Sequence, residues 1–474
     1  MTQKPASPSA HSTIQQLNNS TIRSSPTTAE LATWDHDYLW HPFTQMQEWL
    51  AEPPLIIERG EGNYLIDTEG RRYLDGVSSL WCNVHGHRKA ELDEALKAQC
   101  DRIAHSTMLG LANVPATVLA KRLVELTPIS LTRVFYSDAG ATAVEIALKL
   151  ALQYWQLRGQ SRRTRFIALT EAYHGDTLGA VSVGYSAAFH RFFSSVITPA
   201  IHIDPPHVFR WQRGESPERA LALAIDHAAR AFATHGDETA ALIVEPLMQG
   251  AAGMWSQPIG YLPALRDLAR QHGALLICDE VATGFGRTGR MFAVDHEGIE
   301  PDLLCLGKGI TGGYLPLAAT LASEELFEAF LAPYEKFAAF FHGHTYTGNP
   351  LAAAVALANL DIFERENVVR RVQERARHLT GLLAELGERP HVGDIRQWGL
   401  MVGIELVRDR ASRTPYDPAE RIGVRVTREG RSRGIIMRPL GNVMILMPPL
   451  SISADELASL VRVTAESIDA ATAS

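Results

Sequence analysis

The sequence predicts an α/β protein: a mostly parallel sheet with helices on both faces, joined to a smaller α+β domain. Strand-like apolar runs alternate with helical periods over about 250 residues, which requires a sheet covered on both sides. The polar clusters that stand out all fall just after such runs, where ligands bind in sheets of this kind. A chain of 474 residues with 46% apolar and 21% charged residues is long enough for two or three units with a substantial core.

The elements follow in order. Residues 1–33 are rich in Ser, Thr, Pro, Asn and Gln and are expected to be a disordered tail, with order beginning at Trp34. Residues 34–88 form an N-terminal segment, with strands at Leu55–Glu58, Asn63–Asp67 and Arg72–Asp75 separated by Gly turns. Residues 89–350 form the large domain. It opens with helices at Ala90–His105 and Pro115–Leu126. Strands follow at Arg133–Tyr136, Arg165–Leu169, Ala240–Val244, Ala274–Cys278 and Asp302–Leu306, with helices between. Residues 351–474 carry two long helical patterns, strands near Gly399–Val407, Ile435–Met437 and Val443–Met447, and a final helix from Ser453, and are expected to be a separate unit.

Composition removes several functions. Lys plus Arg number 45 against 53 Asp plus Glu, a net charge of −8, so the electrostatic footprint of a nucleic-acid binder is missing. The longest apolar run, Gly309–Ser323, is too short for a membrane span and contains a Pro. The N-terminal stretch has no apolar signal core, and the four cysteines form no CxxC pair. A cytoplasmic protein with reduced thiols is expected. His85, His87 and His105 lack a completing carboxylate or thiol spacing and read as structural, with no metal.

Four stretches carry chemistry. LLICDEVATGFGRTGR ends an apolar strand in Asp279 and Glu280, either a helix-capping acid or a carboxylate at the mouth of the sheet. PDLLCLGKGITGG places Lys308 between glycines at a strand end, either a surface loop or a desolvated amine suited to attack an aldehyde. FYSDAGATAVEI sets small residues, Gly140 and Ala141 among them, at a helix start, either a simple cap or a backbone cradle for an anion. EAYHGDT presents Tyr173, His174 and Asp176, an aromatic plate with polar groups beside it. A phosphorylated aromatic aldehyde would use all four, and pyridoxal 5′-phosphate is the cofactor they suggest.

DEVATGFGRTG and LGKGITGGYLP resemble the signature of the class III aminotransferases, which share the fold type I pyridoxal-phosphate architecture. LWHPFTQM (39–46), DGVSSLWCNVHGH (75–87), YHGDT (173–177), FHGHTYTGNP (341–350) and RPLGNV (438–443) narrow the resemblance. It is closest to the group that converts 8-amino-7-oxononanoate to 7,8-diaminononanoate in biotin biosynthesis, and runs from Trp34 to the C-terminus.

The resemblance implies that Lys308 bonds the cofactor aldehyde and that Asp279 pairs with the pyridine nitrogen. Gly140 and Ala141 would hold the phosphate, and Tyr173 would lie against the ring and near the substrate. Glu245 and Gln249 would contact the cofactor surroundings. Thr345 would reach the phosphate of a neighbouring subunit, with Gly343 and His344 lining that interface, which implies an obligate homodimer with shared sites. Arg438 would receive the substrate carboxylate, and Phe43, Leu80 and Trp81 would line the pocket. Four positions depart from the better-known members: Phe43 replaces a Tyr, Leu80 a Trp, Ala141 a Ser and His344 a Pro. The amino donor implied is S-adenosylmethionine, with lysine as the alternative. Another class III ω-amino-acid or ornithine-type enzyme is the rival reading.

Overall fold

In the computed structural model, which describes residues 26–473, the apolar runs become a seven-stranded sheet. Its strands are β1 (Leu131–Ser137), β2 (Arg165–Leu169), β3 (Ile201–Ile203), β4 (Thr239–Val244), β5 (Leu275–Asp279), β6 (Leu303–Leu306) and β7 (Ala318–Ser323). They lie in the order β1-β7-β6-β5-β4-β2-β3. β7 runs antiparallel to both its neighbours, and the other pairings are parallel. Every residue of β4, β5 and β6 is buried, as strands covered on both faces require. Since β1 runs with β6, the carboxyl ends of β1, β2, β4, β5 and β6 open on one edge.

The long helix Gly140–Leu157 covers one face, packing against β6 and β7. Its inward stripe of Ala, Val, Ile and Leu carries it there, finishing with Tyr154 and Trp155. Two strands of this sheet were not in the sequence reading. Ile201–Ile203 is only three residues long, and β7 lies inside an Ala-rich run whose strand propensity is low.

Helix Pro350–Arg365 packs on helices Ala90–Cys100 and Val114–Leu126. Further on, Val392–Trp398, Met401–Asp409, Val443–Leu446 and Arg438–Leu440 form an antiparallel sheet in that order. Helices Val368–Gly387, Ile422–Ser432 and Ala454–Thr472 accompany it. Strand Ile435–Ile436 pairs in parallel with the end of Arg72–Asp75.

The described residues divide into two compact units. One comprises the residues up to Arg59 with Ile66–Arg72, and the other Gly60–Leu65 with Tyr73 onward. The boundary expected at 350/351 falls inside the second unit. Within the segment expected as a tail, helix Thr28–Tyr38 begins before Trp34. Thr27 caps it, accepting from the Glu30 N–H while Glu30 accepts from the Thr27 N–H, a reciprocal box that fixes the first turn. The rest of that tail, residues 1–25, lies outside the described residues.

Candidate active site

The site forms where five strand ends meet. β5 delivers Asp279, which is 4% exposed. Its Oδ2 lies 2.7 Å from His174 Nδ1, and its Oδ1 accepts from the Val281 N–H at 3.0 Å. The neighbouring Glu280 turns away from the site. It accepts from the N–H groups of Ala293 and Val294 at 2.6 and 2.8 Å, and burial pushes its carboxyl up to about 8. One of the two adjacent acids thus serves the site and the other braces the following loop.

Lys308 follows β6 with a φ of 43°, in the left-handed region that a side chain adopts only when the surroundings enforce it. Burial lowers its ammonium pKa, and Asp279 and Glu245 oppose that shift. Its Nζ lies 4.9 Å from the centroid of the Trp81 ring. Trp81 is itself held by a strained turn in which Ser78, Ser79 and Trp81 all have positive φ. Ser78 Oγ donates to the Met447 carbonyl at 2.6 Å, and Ser79 N–H to Asp75 at 2.7 Å. The buried Arg287 donates to Ser78 Oγ and to the Asn83 and Pro448 carbonyls.

Glu245, at the end of β4, accepts from the N–H groups of Tyr173 and Gly250 at 3.1 and 2.9 Å. Burial, reinforced by Asp279, lifts its carboxyl to about 7, with His174 opposing. Tyr173 follows β2. Its hydroxyl donates to Asp176 at 2.7 Å, and burial raises its pKa. Arg438 lies within the electrostatic reach of Tyr173, and its own pKa is lowered by burial. Gln249 is fully buried and donates to the Thr170 carbonyl at 3.0 Å.

The fifth strand end is an anion cradle. Helix Gly140–Leu157 has Thr142 and Ala143 N–H both turned to the Ala139 carbonyl. The N–H groups of Gly140 and Ala141 keep no acceptor among the described residues. Glycine is required here sterically: a Cβ on Gly140 would lie 2.4 Å from Val281 Cγ1. At Gly175, with a φ of +118°, one would lie 2.3 Å from the Ala141 Cβ. His344 joins the cradle's flank, its Nδ1 lying 2.7 Å from Asp138 Oδ2.

Four other expected residues are exposed in the single chain. Leu80 is 49% exposed although Trp81 beside it is buried. Gly343 and Thr345 are exposed. Phe43 belongs to the other compact unit, where it is exposed with a φ of 50°. Its segment folds on Asp35, which accepts from Trp49 Nε1 at 2.7 Å and lies 2.9 Å from His41 Nε2. The sequence reading placed His174 beside the aromatic plate and missed its contact with Asp279, 105 residues away.

The arrangement joins a desolvated amine, a buried carboxylate, an aromatic plate and two aimed amide donors, the equipment of an enzyme that handles a phosphorylated aldehyde. The class III aminotransferase model matches residues 46–468, and the chain belongs to that family. It is a pyridoxal 5′-phosphate-dependent aminotransferase of the fold type I architecture.

The relatives narrow the group. An adenosylmethionine-8-amino-7-oxononanoate aminotransferase of Nitratidesulfovibrio vulgaris is 54% identical over 94% of this chain and 82% of its own length. One of the same name from Geobacter sulfurreducens is 51% identical over 92% of this chain and 96% of its own. The crystal structure of the Methanocaldococcus jannaschii enzyme of that name superposes with a TM-score of 0.89 at 47% identity, covering 93% of this chain and 98% of that one. An (S)-enantioselective omega-transaminase from Thermomicrobium roseum superposes at 0.91 with 38% identity, covering 94% and 100%.

The residues present fit the cofactor. The partnerless amides of Gly140 and Ala141 suit its phosphate, the Asp279 carboxylate its ring nitrogen, and the Lys308 amine its aldehyde. Among the described residues no helix is long and apolar enough to cross a membrane.

Proposed function

We propose that this enzyme transfers the amino group of S-adenosylmethionine to the ketone of 8-amino-7-oxononanoate, giving the 7,8-diamine used in biotin biosynthesis. The chemistry is carried by one observation: Lys308 Nζ is desolvated against Trp81 within the fields of Asp279 and Glu245, at the same edge as the Gly140–Ala141 cradle. The substrates come from the name shared by relatives at 47–54% identity.

Bound pyridoxal 5′-phosphate supplies an electron sink for the carbon that gains or loses the amino group. Lys308 Nζ would hold its aldehyde at rest. Once freed by a donor amine, Lys308 Nζ would move a proton between the donor's α-carbon and the cofactor's aldehyde carbon, and burial, by lowering its ammonium pKa, favours the base form this needs. Asp279, oriented by His174 and the Val281 N–H, keeps negative charge at the ring nitrogen. Tyr173 would cover the ring, and Arg438 would receive the carboxylate that distinguishes the keto substrate, fixing its distance from the reacting carbon. Water is excluded by Trp81 and the buried methionines Met248, Met254, Met401 and Met447 around it.

The site is completed in a homodimer, in which the exposed Thr345 and Gly343 face the partner's phosphate. A reducing, cytoplasmic setting fits the four unpaired cysteines. Lysine as donor is favoured by one feature, the half-exposed Leu80 where a second flat ring would stack on an adenine. The two donors are separated by single-turnover bleaching of the cofactor's visible band with each amine at matched concentration. Bleaching by S-adenosylmethionine supports the proposal. Bleaching by lysine alone replaces the donor, and bleaching only by simple ω-amino acids replaces the reading.

A further inference from the structure

Helix Pro350–Arg365 turns an apolar face inward with one polar exception, Asn359, which is 0% exposed. Its Nδ2 donates to the carbonyls of Gly309 and Ile310 at 3.0 and 3.1 Å, and its Oδ1 lies 2.8 Å from His85 Nε2. The amide can sit only one way round, because a flipped Oδ1 would face two acceptors. An Oδ1 only accepts, so His85 donates from Nε2. Burial lowers the pKa of His85 to about 4, leaving it uncharged at neutral pH. The three side-chain atoms Asn359 Nδ2, Asn359 Oδ1 and His85 Nε2 are therefore all matched, and each match is directional.

The junction lies under the turn that presents Lys308. That turn, Lys308–Thr311, starts at the left-handed Lys308 and ends at Gly312, whose φ is 65°. Gly312 N–H returns to the Gly309 carbonyl at 3.0 Å, and the Gly312 carbonyl accepts from Val84 N–H at 3.2 Å. The Ile310 carbonyl has Asn359 as its partner. One amide thus ties the lysine turn to His85, four residues beyond Trp81, whose ring lies over Lys308 Nζ.

We propose that Asn359 is a positioning residue for Lys308, acting through the Gly309 and Ile310 carbonyls and held in register by His85. This rests on Lys308 being the lysine that bonds the cofactor. Without the two donors the carbonyls turn toward other partners, the left-handed φ at Lys308 relaxes, and Nζ leaves its dry place under Trp81. The groups that face it, Asp279, Glu245, Cys82 and Arg287, then act on a wetter ammonium.

The test uses Asn359→Ala and the nearly isosteric Asn359→Leu, either of which gives the reading if folded. Leu360→Ala, at the adjacent core position that is 1% exposed, controls for destabilisation. First, borohydride reduction of the holoenzyme and peptide mapping locate the cofactor; attachment elsewhere than Lys308 removes the underlying assignment. Next, in the full chain freed of cofactor, formaldehyde–borohydride labelling of Lys308 is followed against pH. The Asn359 variants should label at least fivefold more slowly at neutral pH, with the labelling midpoint moved to higher pH. In the holoenzyme, kcat should fall at least tenfold with KM for the donor within twofold. Leu360→Ala should match the parent in labelling at a similarly lowered melting temperature. Parent-like labelling in a folded Asn359 variant, or an equal change in Leu360→Ala, overturns the proposal.

Discussion

Gly140→Ala puts the cradle to a steric test. The added Cβ would stand 2.4, 2.9 and 3.2 Å from Val281 Cγ1, Cγ2 and Cβ, against a normal carbon–carbon contact of about 3.5–4.0 Å. Val281 cannot swing aside easily. It is β-branched and stiff about χ1. The helix start must therefore shift by about 1 Å, at an overpacking cost of about 1–3 kcal/mol. Replacing a helical Gly returns about 0.5–1 kcal/mol, so the loss of fold stability is modest. The larger effect falls on the phosphate. Two charge-assisted bonds worth about 1.5–3 kcal/mol each lose part of their alignment, so affinity for pyridoxal 5′-phosphate should fall roughly 30- to 100-fold. Titration of the cofactor-free enzyme, followed by the visible band, measures this. Phosphate-free pyridoxal should bind the variant and the parent alike. Val281→Ala removes the two methyl groups in conflict, so the double variant should recover affinity with a coupling above about 1 kcal/mol. Parent-like affinity in Gly140→Ala, or no rescue by Val281→Ala, would refute the reasoning.

Three further outcomes are expected. Asp279→Asn keeps the shape and the bond from Val281 N–H but loses the charge; a charged hydrogen bond worth about 1.5–3 kcal/mol predicts half-reaction rates roughly 10- to 100-fold lower at saturating cofactor, and rates within threefold would give this carboxylate another job. Glu245, raised to about 7 in the fold, holds its proton while the unfolded chain releases its own near 4.5, so its contribution to stability declines as pH rises between those values, by roughly 3 kcal/mol. Glu245→Gln should remove that slope from the cofactor-free enzyme, its melting temperature gaining on the parent from pH 5 to pH 7.5; parallel curves would contradict it. The assembly should be a dimer burying more than about 2,000 Å2 in total, and sedimentation on dilution should show activity lost with the dimer, where a fully active monomer would count against shared sites.

Much of this site is written locally in the chain. Asp279 and Lys308 each follow a short apolar run directly, so strand end and functional group are read together. Gly140 and Ala141 open a helix whose apolar stripe is strong, whereas the capping box at Thr27–Glu30 went unread inside a segment whose Ser- and Thr-rich composition pointed to a tail. What could not be read is pairing across sequence distance. No local pattern joins His174 to Asp279, or Asn359 to the carbonyls of Gly309 and Ile310; these contacts exist because the sheet order brings β2 near β5 and a helix from beyond residue 349 beneath the lysine turn. The split of Asp279 and Glu280 to opposite tasks depends likewise on which face of the strand end each leaves from. Phe43 and Leu80 were placed in the pocket by resemblance alone, and both are exposed in the single chain.

The central claim is tested most directly by following the nitrogen itself. S-adenosylmethionine carrying an isotopically labelled α-amino group is mixed with the purified holoenzyme and 8-amino-7-oxononanoate, and the product is analysed by mass spectrometry. The account predicts a diamine carrying one label, at the carbon that bore the ketone, and no label in the same reaction with Lys308→Ala. Unlabelled keto substrate recovered intact, while a simple ω-amino acid exchanges its nitrogen with a small keto acid on the same enzyme, would contradict it.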